Sequence, residues 1–421
     1  MDEPQTEMPR TGTEPGTAWK RPYYTIIVGQ AVSQVGSSAV QFALIWYLAQ
    51  TTGSPSAMGL AGVAAFLPGA LLSPVAGIVA DRRNRKRVCI ASDMAAGIMA
   101  ATFALAMGSL GVSLVAVILL LAARSAATSF QAPAMQAMVP QIVPAQALVE
   151  AGGLAQALTS VSYILGPVVG GILYTVLPLP AVLVTDLIGA LIAAATLGSV
   201  AVPDHRAAGP RPTLHPIAEL RDGLSVFWEN RTLTLVIVSL FAFMVFFMPL
   251  SAFYPLMTSD YFALGAFEGS LVETSWATGM LVAGIAIAKA NISNEIRAAC
   301  GAMVALGATC IASGLLPRSF AGWVAFALIC GAMGASSTCY NVPVVAYMQK
   351  NIAPEKLGRA FSAFQIINLI SMPLGLAIAS PVAEALGVST WFTISGIAIV
   401  ALGGATIVLE RRAANKVRTD A

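Results

Sequence analysis

The stretch GIVADRRNRKR, residues 77–87, lies between two long apolar segments, and five of its last six residues are Arg or Lys. A turn with this much charge cannot enter the hydrocarbon of a bilayer, and basic loops mark the cytoplasmic face of a membrane. We expect Gly77 to let two helices approach closely, Asp81 to end a helix, and Asn84 to occupy a turn position with positive φ. The stretch therefore predicts a cytoplasmic turn of defined geometry between two membrane-spanning helices. The alternative is an ordinary basic loop between helices, which would need only the Lys and Arg residues.

Composition extends this prediction to the whole chain. Apolar residues make up 57% of the 421 residues and charged residues only 10%, whereas about 25% of the residues in a soluble domain are charged. Apolar runs of about twenty residues, the length that crosses a bilayer as a helix, recur from end to end. We therefore predict an all-α membrane protein with twelve transmembrane helices. The net charge of +3 comes from loops that flank the membrane, so no nucleic-acid partner is expected.

The predicted spans form two sets of six. The first set is 23–49, 56–80, 88–108, 112–138, 149–176 and 181–202, and the second is 232–258, 270–289, 297–316, 321–348, 358–382 and 389–409. We predict a disordered cytoplasmic tail at 1–22, a six-helix bundle at 23–202, a cytoplasmic linker at 203–231, a second bundle at 232–409 and a tail at 410–421. A weak likeness between IVPAQALVEAGGLAQAL (142–158) and IAPEKLGRAFSAFQII (352–367) predicts pseudo-symmetric halves, with chance similarity of apolar helices as the alternative.

Charge fixes the predicted orientation. With the amino terminus inside, all basic residues except Arg124 and Arg318 fall in cytoplasmic loops and tails. This asymmetry places both termini in the cytoplasm.

The sequence contains no pattern that indicates a catalytic or metal site. The five cysteines lie in or beside apolar runs without a metal-type pair, and both histidines lie in a polar loop. No GxxxxGK[ST] loop is present, which argues against a nucleotide-driven pump. We therefore expect no metal, no cofactor and no enzymatic activity. A sensor or scaffold that does not transport remains an alternative.

Four ionisable residues lie inside predicted spans and more than two residues from either end, where each costs about 2.5–3.5 kcal/mol on insertion scales. They are Asp93, Arg124, Asp186 and Glu273. A carboxylate shielded from water can exchange protons near neutral pH, so Asp186 and Glu273 are candidates to bind a proton or a cationic substrate. An ion pair or an interfacial carboxylate is the alternative. Asp93 lies near the cytoplasmic end of its span and is predicted to act at a gate or to pair with the basic turn.

The fifth predicted span carries small residues at regular spacing, in GGLAQALTSVSYILGPVVGGI (152–172). Small side chains give a smooth face for close helix packing, and a proline bends the helix. The residues concerned are Gly153, Ser162, Gly166, Pro167, Gly170 and Gly171.

These motifs point to a family. Residues 77–87 resemble the signature loop between helices 2 and 3 of the major facilitator superfamily, with Asn84 in place of the usual Gly, and GPVVGG resembles the helix 5 motif of its drug–proton antiporter branch, with Ser162 in place of a Gly. Further stretches are similar, in order, to the bacterial macrolide-efflux transporters of that superfamily: GQAVSQVGSSAVQFALIWYLAQTTGS, AARSAATSFQAPAMQAMVPQIVP, FMPLSAFYPLM and PEKLGRAFS.

The resemblance implies a proton-coupled secondary efflux transporter in the bacterial cytoplasmic membrane. It would act as a monomer and export bulky lipophilic compounds such as macrolides by alternating access. A siderophore or metabolite exporter of the same superfamily is the alternative. The resemblance ties Arg124 to proton coupling. It also places Asp81 against the start of the eleventh span, near Gly358 and Arg359, where the gate would comprise Gly77, Asp81, Arg82, Arg85, Arg87, Asp93 and Arg359.

A lipophilic substrate calls for an apolar cavity with a few polar groups, and aromatic and Met side chains suit such walls. Packing against lipid or neighbouring helices is the alternative for each candidate. The candidates are Gln34, Gln41, Gln131, Tyr163, Phe243, Phe247, Met248, Tyr340, Asn341 and Asn368.

Overall fold

The computed structural model describes residues 19–110, 113–202, 225, 227–228, 231–290 and 294–419, without the side chains of 81, 108–110, 231–232, 354–355, 362 and 410–419. Residues 1–18 of the predicted tail 1–22 lie outside the described residues. The predicted linker 203–231 lies almost wholly outside them. The boundaries proposed for the two bundles therefore stay predictions.

The described residues form helices joined by short non-helical connections. Its helices are α1 (Lys20–Thr52), α2 (Pro55–Arg82), α3 (Arg85–Leu110), α4 (Leu114–Thr128), α5 (Gln131–Ile142), α6 (Leu148–Val176), α7 (Leu179–Ser199), α8 (Arg231–Leu256), α9 (Ala266–Lys289), α10 (Glu295–Gly314), α11 (Phe320–Asn351), α12 (Pro354–Leu386) and α13 (Val388–Thr419). A π-helical turn, Met257–Tyr261, extends α8. These helices confirm the predicted fold class.

The fourth span is broken, although the sequence analysis predicted one continuous helix over 112–138. It consists of α4 and α5, separated at Ser129 and Phe130. Pro133 accounts for the break, because a proline lacks the amide N–H and clashes with the carbonyl four residues earlier, which here belongs to Ser129.

Eleven helical segments among the described residues are long and apolar enough to cross a membrane, and α1 completes the twelve spans. Helix α1 differs from the other spanning helices in its polar residues. Gln30 and Ser33 are buried inside the protein, so α1 spends part of its surface on polar contacts instead of apolar ones.

The helices pack mainly within each half of the chain. In the first half α1 packs on α6 and α7, α3 packs on α7, and α2 packs on α4; in the second half α10 packs on α13 and α11, and α9 packs on α11. The largest contacts between the halves are α6 with α9 and α2 with α12. This is the two-bundle architecture predicted from the sequence.

Glycines toward the two ends of the molecule have different surroundings. The basic end carries the turn between α2 and α3, and the opposite end carries Gly53 and Gly387. Toward the opposite end, a Cβ added to Gly171 of α6 would lie 2.7 Å from Ser270 of α9. Toward the basic end, a Cβ on Gly77, Gly153 or Gly358 would meet no described atom within 4 Å. These three glycines therefore face open space at the basic end.

Candidate functional site

Arg124 and Asp186 form a buried ion pair between α4 and α7. Their exposed fractions are 6% and 2%. Ser37 of α1 completes the cluster, because its hydroxyl donates to Asp186 Oδ1 at 2.6 Å and its carbonyl oxygen accepts from Arg124 Nη2 at 3.3 Å. Sequence reasoning singled out both charged residues separately, and the structure brings them together. Each charge therefore has a partner in a region that water does not reach.

Close helix packing positions this cluster. A Cβ on Gly189 of α7 would lie 3.2 Å from Ser33 Cα of α1, and one on Gly97 of α3 would lie 2.9 Å from Leu187 Cα of α7. The absence of side chains at these two glycines lets α1 and α3 approach α7 on both sides of Asp186.

Asp93 belongs to a second polar cluster, nearer the basic end. Gln30 Nε2 donates to Asp93 Oδ2 at 3.0 Å, and Gln131 Nε2 donates to Gln30 Oε1 at 2.6 Å. Gln30 and Asp93 are both buried, and Gln131 is half-buried. Asp93 thus contacts α1 instead of the basic turn with which it was predicted to pair. Sequence reasoning missed Gln30, although it lies one helical turn from Gln34, which was chosen.

A narrow cleft of about 80 Å³ leads to this second cluster from between α1, α5 and α6. Its walls are mostly apolar, and Gln30, Gln34 and Thr159 supply polar groups. The cleft gives the buried Gln30 side chain an approach from outside the bundle.

Glu273 lies in the other half of the molecule, on α9. It accepts a hydrogen bond from the hydroxyl of Tyr254 at 2.7 Å. One helical turn further on, the ring of Trp276 stacks on Phe247, with 5.7 Å between the ring centroids. The three proton-coupling candidates are therefore split between the halves, with Arg124 and Asp186 on one side and Glu273 on the other.

The predicted cavity residues have different surroundings, and three of the aromatic ones pack together. Phe243 packs on Phe247 at 5.1 Å and on Tyr340 at 4.5 Å between ring centroids, and all three are buried. The remaining candidates are placed as follows: Gln41, Tyr163 and Asn341 are exposed, Gln34, Met248 and Asn368 are half-buried, and Asn368 donates to the carbonyl of Phe364. Gln34 lines the cleft and Gln131 belongs to the polar cluster.

The basic turn binds carbonyl groups of its own half. Arg85 Nη1 donates to the carbonyl of Ala137 at 2.7 Å, and Lys86 Nζ donates to the carbonyls of Gly198 and Val200 at 2.9 and 2.8 Å. Cations at the carboxyl ends of helices are favourably placed, since unsatisfied carbonyls collect there. The turn thereby holds the ends of α5 and α7.

The other gate residues lie around this turn. Arg82, Arg87 and Arg359 are exposed, and the side chain of Asp81 lies outside the described residues, as does its predicted contact with α12. The prediction for Asn84 was wrong, because no described residue except Ala263 and glycines has a positive φ. Its side chain instead accepts the N–H of Arg87 at 3.0 Å and caps the start of α3.

The small residues of α6 face two different helices. A Cβ on Gly170 would lie 2.7 Å from the carbonyl oxygen of Ala39 in α1, and the Ser162 hydroxyl lies 3.3 Å from the carbonyl oxygen of Ala31. Gly166 also packs on α1, at Ser38, whereas Gly171 faces α9 of the other half. Gly153, at the basic end of α6, faces open space.

A contact that sequence reasoning missed closes the opposite end. Glu384 of α12 reaches the first turn of α2 in the other half, where its Oε2 accepts the N–H of Ser56 at 3.1 Å and the hydroxyl of Ser54 at 3.0 Å. The free N–H groups at a helix start favour an anion. The contact therefore joins the halves by a charged helix cap.

Similarity to known proteins agrees with this architecture. "Macrolide efflux protein A" of Streptococcus pyogenes is 36% identical over 391 residues, which cover 91% of this chain and 95% of that protein. A protein of the same name from Enterococcus faecalis is 35% identical over 318 residues, covering 74% and 96%. "Multidrug efflux pump Tap" of Mycobacterium tuberculosis is 25% identical over 399 residues, covering 91% and 92%.

Solved structures share the fold at low sequence identity. A bacterial homologue of the iron transporter ferroportin, in an inward-facing state, superposes with a TM-score of 0.71 at 15% identity, covering 92% of this chain and 98% of that one. The nucleoside transporter NupG gives a TM-score of 0.62 at 14% identity, covering 90% and 98%. Residues 26–376 match the sequence model of the Major Facilitator Superfamily. This chain therefore belongs to the Major Facilitator Superfamily of membrane transporters.

Proposed function

We propose that this protein is a proton-coupled efflux transporter that exports bulky lipophilic compounds such as macrolides across the bacterial cytoplasmic membrane. The observation that carries the proposal is the buried Arg124–Asp186 pair in a chain whose 36%-identical relative is a macrolide efflux protein. Ionisable groups inside membrane helices are expensive, and in transporters they mark ion and substrate pathways.

The proposed orientation places the basic end and both termini in the cytoplasm. The asymmetry of Lys and Arg in the loops supports it. In this orientation the open space beside Gly77, Gly153 and Gly358 lies on the cytoplasmic side, where a drug enters. The bundles 23–202 and 232–409 then rock as units, and the gate residues, Asp81 and Arg359 among them, meet as the cytoplasmic side closes.

The proton and the drug compete through the Arg124–Asp186 pair. A proton on Asp186 neutralises the carboxylate and frees the Arg124 guanidinium from its partner, so the two protonation states favour different arrangements of α4 and α7. Glu273, with its Tyr254 hydrogen bond, is the corresponding site in the second bundle. We propose that the protein works as a monomer, since each ionisable cluster is completed within one chain.

The test is efflux of a radiolabelled macrolide from proteoliposomes, with and without an imposed proton gradient, for wild type and Asp186→Asn. We expect gradient-driven transport in wild type and its loss in the variant. Asp260→Asn is the matched control, because Asp260 is an exposed carboxylate at the opposite end. Wild type that moves no macrolide under either gradient would refute macrolide export. The substrate search would then turn to siderophores and other metabolites.

A further inference from the structure

We propose that Asp93 is the site from which the coupled proton leaves for the cytoplasm, and that Gln30 and Gln131 connect it to the cleft. The inference rests on the proposed function, because it assumes that a proton is transported. It assigns to Asp93 a role in proton transfer instead of the gate role suggested by its sequence position.

Asp93 and Asp186 differ in the charge of their partners. The charge of Asp186 is neutralised by Arg124. Asp93 instead accepts a hydrogen bond from the neutral side chain of Gln30. Asp93 is only 6% exposed. A buried charge without a counter-charge is costly in a membrane protein, so such a carboxylate persists where its function is to take up and release a proton.

The surroundings of Asp93 contain no competing cation in the part of the chain that the structure describes. Gln30 faces it from α1, and Gln131 of α5 bonds Gln30. On α3 itself Cys89 lies one turn away. Arg124 is held by Asp186, while Arg85 and Lys86, two turns away on α3, bond carbonyls of α5 and α7.

Gln30 connects Asp93 to the cleft. Gln30 lines the cleft of about 80 Å³ between α1, α5 and α6, so it lies between Asp93 and the space outside the bundle. Glutamine has both donor and acceptor groups, and waters in a cleft with polar groups can continue such a chain of hydrogen bonds. A proton that dissociates from the carboxyl oxygen of Asp93 is taken up by water, as hydronium, and leaves the carboxylate behind.

The position of Asp93 along α3 relates it to Asp186. A Cβ on Gly97, one turn after Asp93 on α3, would lie 3.3 Å from the backbone oxygen of Asp186. One helical turn rises about 5.4 Å. Asp93 is therefore about one turn along α3 from the point where α3 packs against the backbone of Asp186, and on its cytoplasmic side in the proposed orientation. A proton released from Asp186 when the pair with Arg124 forms meets Asp93 next.

The first experiment compares two transport modes in proteoliposomes loaded with radiolabelled macrolide. Gradient-driven efflux needs net proton movement, and exchange of labelled for unlabelled drug does not. We expect Asp93→Asn to lower driven efflux at least tenfold and to leave exchange within twofold of wild type. Asp93→Glu should restore driven efflux with a shifted pH profile. Equal loss of driven efflux and of exchange in Asp93→Asn would overturn the inference. Driven efflux by Asp93→Glu with the pH profile of wild type would also overturn it.

The second experiment needs no variant and no known drug. A hydrophobic carbodiimide reacts with protonated carboxyl groups in apolar surroundings, and mass spectrometry of the digested wild-type protein identifies the labelled residue. We expect labelling at Asp93 that falls as pH rises from 5 to 9, and none at Asp186 while it is paired with Arg124. Labelling of Asp93 that does not change with pH, or its absence beside a labelled Asp186, would refute the inference. Absence of proton-driven macrolide efflux in wild type with pH-dependent labelling at Asp93 would refute macrolide as the exported substrate and support proton binding at Asp93.

Discussion

The carboxylate of Glu384 caps the start of helix α2 at Ser56, with 3.1 Å between Oε2 and the backbone nitrogen. The two residues belong to different halves of the protein. Because the cap exists only while the halves touch at this end, it favours the conformation described here over one in which this end is open. A single carboxylate thus contributes to the balance between two states of the transporter.

Replacing Glu384 with Ala should shift that balance. A helix cap is worth about 0.5–2 kcal/mol, so we expect the population open at this end to rise several-fold. The measurement is the distance between spin labels on α2 and α12 at this end in reconstituted protein. Glu268→Ala is the matched control, since Glu268 accepts the N–H of Gly265 at 3.1 Å at the start of its own helix α9. An equal shift in both variants would contradict the prediction.

Breaking the buried ion pair should be costly. Arg124→Ala leaves Asp186 charged and without its partner, and removing one member of a buried pair costs about 3–5 kcal/mol. We expect a marked fall in the thermal denaturation temperature in detergent. The double variant Arg124→Leu with Asp186→Leu should regain most of that stability but no gradient-driven transport. Lys20→Ala breaks the exposed pair with Glu150 and should change stability by less than about 1 kcal/mol.

Two glycines of α6 should respond differently to the same substitution. Gly170→Leu forces a side chain into the backbone of α1 at Ala39, and overpacking of this kind costs about 1–3 kcal/mol. Gly153→Leu meets open space, so its stability should match wild type, but we expect transport to fall because that face must close. Thermal stability and macrolide efflux measured on both variants test these two expectations. Normal efflux by stable Gly153→Leu protein would show that α6 does not close there.

Asn84 offers a test of its capping role. Asn84→Ala removes the acceptor for the Arg87 N–H and should lower stability by about 1 kcal/mol, whereas Asn84→Gly should cost only a few tenths. A positive φ at this position would instead make Gly stabilising. The thermal denaturation temperatures of the two variants distinguish these outcomes.

The fold could be predicted from the sequence to a large extent, because span length and loop charge are local properties. Even the break before Gln131 had a visible cause in Pro133. The pair between Arg124 and Asp186 could not be predicted as a contact, since it depends on how α4 and α7 are rotated about their axes. The Glu384 cap was even harder to predict from the sequence, because it depends on which conformation the two halves adopt.

Helix α6 touches both halves through one strip of small residues. Gly166 and Gly170 lie against α1 of the same half, and Gly171 lies against α9 of the other. If the halves move as units, the first contact persists through every cycle while the second is made and lost. Glycine at the first contact allows the half to assemble. Glycine at the second contact favours fast turnover, because a smooth surface separates from its neighbour without interlocked side chains having to withdraw. Substitutions along a single helix should therefore divide into those that prevent the protein from forming and those that only slow its turnover.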